Sequence, residues 1–187
     1  MLIPLLNTTP QTLLHLPGFL PSAILAGVLY LILLRARGSK WRLAILSLPG
    51  TFSHELVHLI VGFLLLARPA GFSLRPKRAG EGWALGSVSF RKINMFNGAF
   101  VALAPLLLLP LAWLCLTGLA APFWANHQWG GWLATGYFTS TLLLAAIPSP
   151  QDIKAGCPSL LLYGTVGGTV GGLWWLWGSP SWRNWFH

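Results

Sequence analysis

Apolar stretches long enough to cross a hydrocarbon core recur along this chain, each set off from the next by basic or turn-forming residues. Crossing such a core takes roughly 20 helical residues at about 1.5 Å each. Only 8% of the 187 residues are charged, whereas soluble domains carry about a quarter. Apolar residues make up 55%, and the mean hydropathy is +0.65. These features predict an all-α polytopic membrane protein. A single membrane-embedded domain over 1–187 is expected, without a long internal repeat or an interdomain linker.

The formal charge of +9 could suggest a nucleic acid partner, but its placement argues otherwise. Arg35, Arg37, Lys40 and Arg42 sit between apolar runs, as do Arg68, Arg75, Lys77, Arg78, Arg91 and Lys92. Helix ends meet anionic headgroups at such places. No basic helix or aromatic-basic motif stands apart from the spans, so nucleic acid is excluded as a partner. Cys115 and Cys157 form no CxxC pair and read as inert thiols.

About five transmembrane helices are expected. Residues 1–17, broken by Pro4, Pro10 and Pro17, read as an N-terminal interfacial segment; lacking a leading positive charge, they do not resemble a cleaved signal. The first span is 19–35. The second, 43–67, is divided by Pro49-Gly50, with Thr51 or Ser53 available to cap the restarted helix. Spans 98–119 and 130–147 are joined by a Trp-rich loop around Trp124, Trp129 and Trp132, and a last span covers 159–177. Its glycines, Gly164, Gly167, Gly168, Gly171 and Gly172, predict a face for close helix packing. Trp174, Trp175, Trp177, Trp182 and Trp185 predict an aromatic belt that runs into an interfacial tail, 178–187.

Residues 68–95 differ in kind. Phe72-Ser-Leu-Arg75 and Ala84-Leu-Gly-Ser-Val-Ser-Phe-Arg91 alternate in character around the turn-forming Arg78-Ala-Gly-Glu-Gly82. A β-hairpin is predicted, placed at the surface or lining a protein cavity because open sheet edges cannot face lipid. Loop 35–42 holds four basic residues and the hairpin region six, yet one span separates them. The larger group favours a cytoplasmic hairpin.

The chain has three carboxylates, Glu55, Glu81 and Asp152. Glu81 belongs to the polar turn. Glu55 lies inside an apolar block, where an ionisable group is costly and marks a site with a partner. The partner is in His54-Glu55-Leu56-Val57-His58. Positions i and i+4 share a helix face, so both imidazoles can grip one metal while the glutamate acts as base towards an activated water. Two core histidines bonded to backbone are the plain alternative, but three ionisable groups sharing one apolar block make it expensive. A catalytic zinc site needs a third protein ligand and an open fourth position. Asp152, after Pro148 and Pro150, is favoured by the free N–H groups of a helix start, with a simple N-cap paired with Lys154 as its ordinary reading. His127 is the competitor; His15 and His187 lie near the termini.

An HExxH on a membrane helix, a following hairpin and a later Pro-x-Pro-x-Asp element resemble the site-2 protease family of intramembrane zinc metalloproteases. Phe100-Val-Ala-Leu-Ala-Pro105 is similar to the family's small-residue span, and the likeness covers roughly residues 45–160. It implies Zn2+ as cofactor, His54, His58 and Asp152 as metal ligands, and Glu55 as catalytic base. The later motif departs from the family pattern at Ile147 and Ile153, which marks a divergent, minimal branch.

The resemblance implies an endopeptidase acting on membrane-spanning or membrane-embedded polypeptide in a prokaryotic cell membrane. A strand from Leu85 to Phe90, including Val88, would present the unwound segment by strand addition, or else cap the cavity. Asn94 and Asn97 are candidates for an oxyanion donor or for turn and cap duty. The alternative function is a non-enzymatic scaffold or transport subunit with a structural or transported-metal site.

Overall fold

The computed structural model describes residues 17–74, 77–79, 82–84 and 86–178. The expected N-terminal segment, apart from Pro17, and the expected tail beyond Gly178 lie outside the described residues, as do His15, His187, Trp182 and Trp185. The chain is mostly helical with an antiparallel hairpin. In order come α1 (Phe19–Arg35), a 3-10 turn (Ala36–Gly38), α2 (Lys40–Leu46) and α3 (Leu48–Leu64). Strands β1 (Pro69–Ser73), β2 (Lys77–Ala79), β3 (Gly82–Ala84) and β4 (Ser87–Phe90) follow. The remainder is α4 (Gly98–Ala125), α5 (Trp129–Ala145) and α6 (Pro150–Gly178).

By length and composition, α4 is the one helix among the described residues long and apolar enough to cross a membrane; α5 and α6, bent by 52°, make a second if they form one broken span. The first helix is apolar but stops at 17 residues. Large apolar side chains face outward along the bundle, among them Leu20, Ile24, Phe63, Leu64, Leu114 and Leu161.

Four sequence expectations are corrected here. The second apolar block breaks at Ser47, two residues before Pro49-Gly50. Pro49 sits in the first turn of α3, where its missing N–H has no acceptor to disappoint. Ser47, rather than Thr51 or Ser53, occupies the N-cap position, although its hydroxyl donates back to the Leu43 carbonyl at 2.7 Å. Gly50 serves a crossing: a Cβ there would lie 2.1 Å from the Thr141 carbonyl oxygen on α5.

Second, the hairpin is two short ladders in line. The outer one pairs β1 with β4 through Phe72↔Val88 and Ser73↔Ser87, and the inner one pairs β2 with β3 through Arg78↔Trp83. The two ladders are separate sheets, so the stretch that reads in sequence as a strand from Ala84 to Arg91 contributes to both.

Third, the Trp-rich segment is helical on both sides. Continuous helix reaches Ala125 by way of a 3-10 turn at Ala104–Leu107 and a π turn at Leu116–Ala120. These irregularities accommodate Pro105 and precede Pro122, residues that cannot donate into the helical ladder. Only Asn126, His127 and Gln128 connect α4 to α5, and Trp124 stacks with Trp129 and Trp132 at 5.1 and 4.7 Å.

Fourth, the last helix begins at Pro150 and its outer glycines meet no described neighbour. A Cβ built at Gly164, Gly167, Gly168, Gly171 or Gly172 finds no atom of another described element within 4 Å.

The core is organised by α5, which packs against α1, α3 and α4. Its buried face is Thr135, Gly136, Thr139, Ser140, Thr141 and Leu142. Small and hydroxyl-bearing residues suit a helix interface in lipid, where close backbone approach and hydrogen bonds replace the hydrophobic drive. Ser140 Oγ shares its one proton between the Gly136 carbonyl of its own helix at 2.7 Å and the Ala26 carbonyl of α1 at 2.9 Å, and the Trp132 indole donates to Ser22 Oγ at 2.9 Å. Leu108, Ala112 and Cys115 of α4 close against Leu142 and Ala146, with Val57 of α3 packed alongside.

Candidate metal centre

Two histidines one turn apart on α3 define the centre. Their ring centroids lie 4.8 Å apart, and their Nε2 atoms approach to 3.2 Å. Each ring is moored on its other side. His54 Nδ1 donates to the Ala145 carbonyl at 2.6 Å, and His58 Nδ1 donates to the Val101 carbonyl at 2.8 Å. A carbonyl only accepts, so both protons belong on Nδ1 and both Nε2 lone pairs face each other.

The carbonyls are available for reasons visible in the chain. Ala145 is the last residue of α5, where helical carbonyls have no onward partner. Four residues after Val101 stands Pro105, which has no N–H to give it. The Val101 oxygen takes the Ala104 N–H in a tighter turn and keeps a second lone pair for the imidazole.

Asp152, at the start of α6, brings its carboxylate to both rings: Oδ2 lies 3.5 Å from His54 Nε2 and Oδ1 3.4 Å from His58 Nε2. The candidate ligand atoms of the three residues all lie within 4.8 Å of one another. A tetrahedral ion bound at about 2.0–2.1 Å spaces its ligands by about 3.3–3.4 Å. The spacing of the two Nε2 atoms fits that demand, and the carboxylate meets it with a different oxygen towards each ring. Two imidazole lone pairs and a carboxylate converging on one point call for a proton or a metal ion between them. The group could therefore hold a metal ion.

Glu55, beside the first histidine, is buried at 6% exposure. The hairpin covers it. A Cβ at Gly86 would sit 2.7 Å from both Cγ and Oε1 of Glu55, so only glycine lets the strand lie this close. The Val88 backbone N–H is a hydrogen-bond partner of the same carboxylate. Strand alternation explains this: the Arg91 N–H bonds the Arg68 carbonyl at 3.0 Å, so Ser89 and Ser87 face β1 while Val88 faces the open edge. Leu85 lies outside the described residues.

Asn94 and Asn97 take up turn and cap duty. The Asn94 N–H donates to Asn97 Oδ1 at 2.8 Å, and the Asn97 N–H returns to Asn94 Oδ1 at 3.0 Å. The Asn97 amide donates to the carbonyls of Lys92 and Leu65 at 3.0 and 3.4 Å, which occupies both its hydrogens. His127 stacks on Trp129 at 5.6 Å at the far end of α5. Seventeen helical residues, roughly 25 Å, separate it from Ala145.

Sequence reasoning overlooked the carbonyls of Ala145 and Val101, the contact of Gly86 and the part played by Ser149. Two of these had a signal: Pro105 four residues after Val101, and the S-x-x-D spacing from Ser149 to Asp152 at a helix start. Compared with protein-family profiles, with curated proteins and with solved structures, the chain finds no match.

Proposed function

We propose that this chain is an intramembrane zinc endopeptidase that hydrolyses peptide bonds of membrane-spanning or membrane-embedded polypeptides. The single observation that carries the reading is the convergence of His54, His58 and Asp152 at ligand spacing, with a buried glutamate directly after the first of them. On this reading about five apolar segments cross the membrane, those around α1, α3, α4, α5 and α6. The outward-facing leucines, isoleucines and phenylalanines support that count.

Zinc held by His54, His58 and Asp152 would supply Lewis acidity and make water nucleophilic near neutral pH. Glu55 accepts the proton of the attacking water and returns it to the departing amine. His54 and His58 keep their orientation through the Ala145 and Val101 carbonyls, which fix tautomer and ring plane together. The open edge of β4 beside Glu55 suits an extended substrate segment, because a helical peptide has its carbonyls tied up until it unwinds.

The test is Glu55→Gln in the full chain, co-expressed with a membrane-embedded substrate. Zinc content of the purified variant should match the wild type, while cleavage should fall by at least about a hundred-fold, the loss of a general base. Cleavage at the wild-type rate would leave the site a structural or transport centre.

A further inference from the structure

We propose that Ser149 is a positioning residue for the metal ligand Asp152, so that the helix cap of α6 and the metal centre are one device. The proposal rests on the metal reading above. Ser149 stands at the N-cap: its carbonyl accepts the Ile153 N–H at 3.1 Å, the first bond of the helix. Pro150 follows at the first helical position, where its fixed φ suits the turn. The side chains then close a reciprocal box. The Asp152 N–H donates to Ser149 Oγ at 3.2 Å, and the Ser149 N–H donates to Asp152 Oδ2 at 2.7 Å.

In an ordinary capping box the acidic side chain three residues on has only the cap to serve. Here the carboxylate serves two masters. Its Oδ2 takes the Ser149 N–H and also faces His54, while Oδ1 is left pointing at His58. The box holds the carboxylate plane before any ion arrives, and a preset ligand loses less conformational freedom on binding. Asp152 is half-buried, with a side-chain exposure of 21%; the two imidazoles lie at 3.5 and 3.4 Å on one side of its carboxylate, and the Ser149 N–H is the backbone donor to it among the described hydrogen bonds. The cap is therefore the tether.

The experiment measures zinc affinity of the full chain in detergent micelles, using Zn2+ alone against a competing chelator. Wild type, Ser149→Ala, Ser149→Thr and Asp152→Asn are compared, together with zinc-free thermal unfolding of each. Ser149→Ala removes the Oγ that accepts the Asp152 N–H and leaves the Ser149 N–H in place. By loosening the turn that carries the carboxylate it should weaken zinc binding about five-fold, the size of a lost cap, and Ser149→Thr, which keeps the hydroxyl, should restore it. A cap with a purely structural role would lower the zinc-free melting point and leave the zinc affinity unchanged; that result overturns the proposal. A wild type that binds zinc no more tightly than Asp152→Asn overturns the metal reading itself, a different failure from that of the tether.

Discussion

The inner and outer parts of α6 are built from similar residues and do opposite things. Near its start, Gly156 is pressed into α4: a Cβ there would fall 2.4 Å from the Ala102 side chain and 2.9 Å from the Gly98 carbonyl oxygen. Further out, Tyr163 still donates to the Phe96 carbonyl at 3.0 Å and packs on Phe100, while Trp174, Trp175 and Trp177 are between 74% and 83% exposed. Glycine spacing is equally suggestive in both stretches, but among the described residues only Gly156 of the inner part is pressed against a neighbour. A small residue thus permits close approach without specifying what approaches. The inner part also carries Asp152, so rigidity and chemistry coincide there.

Several changes would sharpen or break this contrast. The largest effect is expected at the ligand. Asp152→Asn should weaken zinc binding by a hundred-fold or more, on the order of losing a charged metal ligand, as read by chelator competition. Next comes the strand over the glutamate. Gly86→Ala should cut proposed proteolysis by about a hundred-fold, as expected of a misplaced base, while zinc content stays at the wild-type level. A methyl group so close to Glu55 displaces the carboxylate and leaves the three ligands untouched.

Third, Gly156→Val should destabilise the bundle by about 3 kcal/mol through overpacking, whereas Gly168→Val should change stability by less than about 0.5 kcal/mol. Thermal unfolding in one detergent compares the pair, and equal losses would abolish the inner-outer distinction. The smallest effect is at a hydroxyl. Ser140→Ala should cost up to about 1 kcal/mol, because its hydroxyl reaches the Ala26 carbonyl of α1 as well as the Gly136 carbonyl of its own helix. Thr165→Ala, whose hydroxyl bonds only to its own helix, should be nearly silent in the same assay.

Much of this arrangement was legible in the residues, and what was not has a common cause. His54 and His58 share a helix face by spacing alone, and Asp152 is one of very few acidic groups in an apolar chain. The hairpin declared itself by a change of period and by turn formers. The places where reading failed all depend on a neighbour distant in sequence. Pro49-Gly50 reads as a kink until Thr141 is seen lying across it. The tryptophans near 124–132 read as a loop because nothing local reveals that the helices run up to a three-residue joint. Asn97 reads as a possible oxyanion donor until the Lys92 and Leu65 carbonyls are found at its amide.

The missing proton donor at Pro105 has a reach beyond its own turn. By leaving one carbonyl underused, it lets α4 grip His58 while α5 grips His54, and both rings belong to α3 and look towards α6. Four helices are thereby riveted through two imidazoles. Slippage of any one of them will be felt at the other three, so substitutions well away from this centre will register first as a change in how firmly the two rings are held.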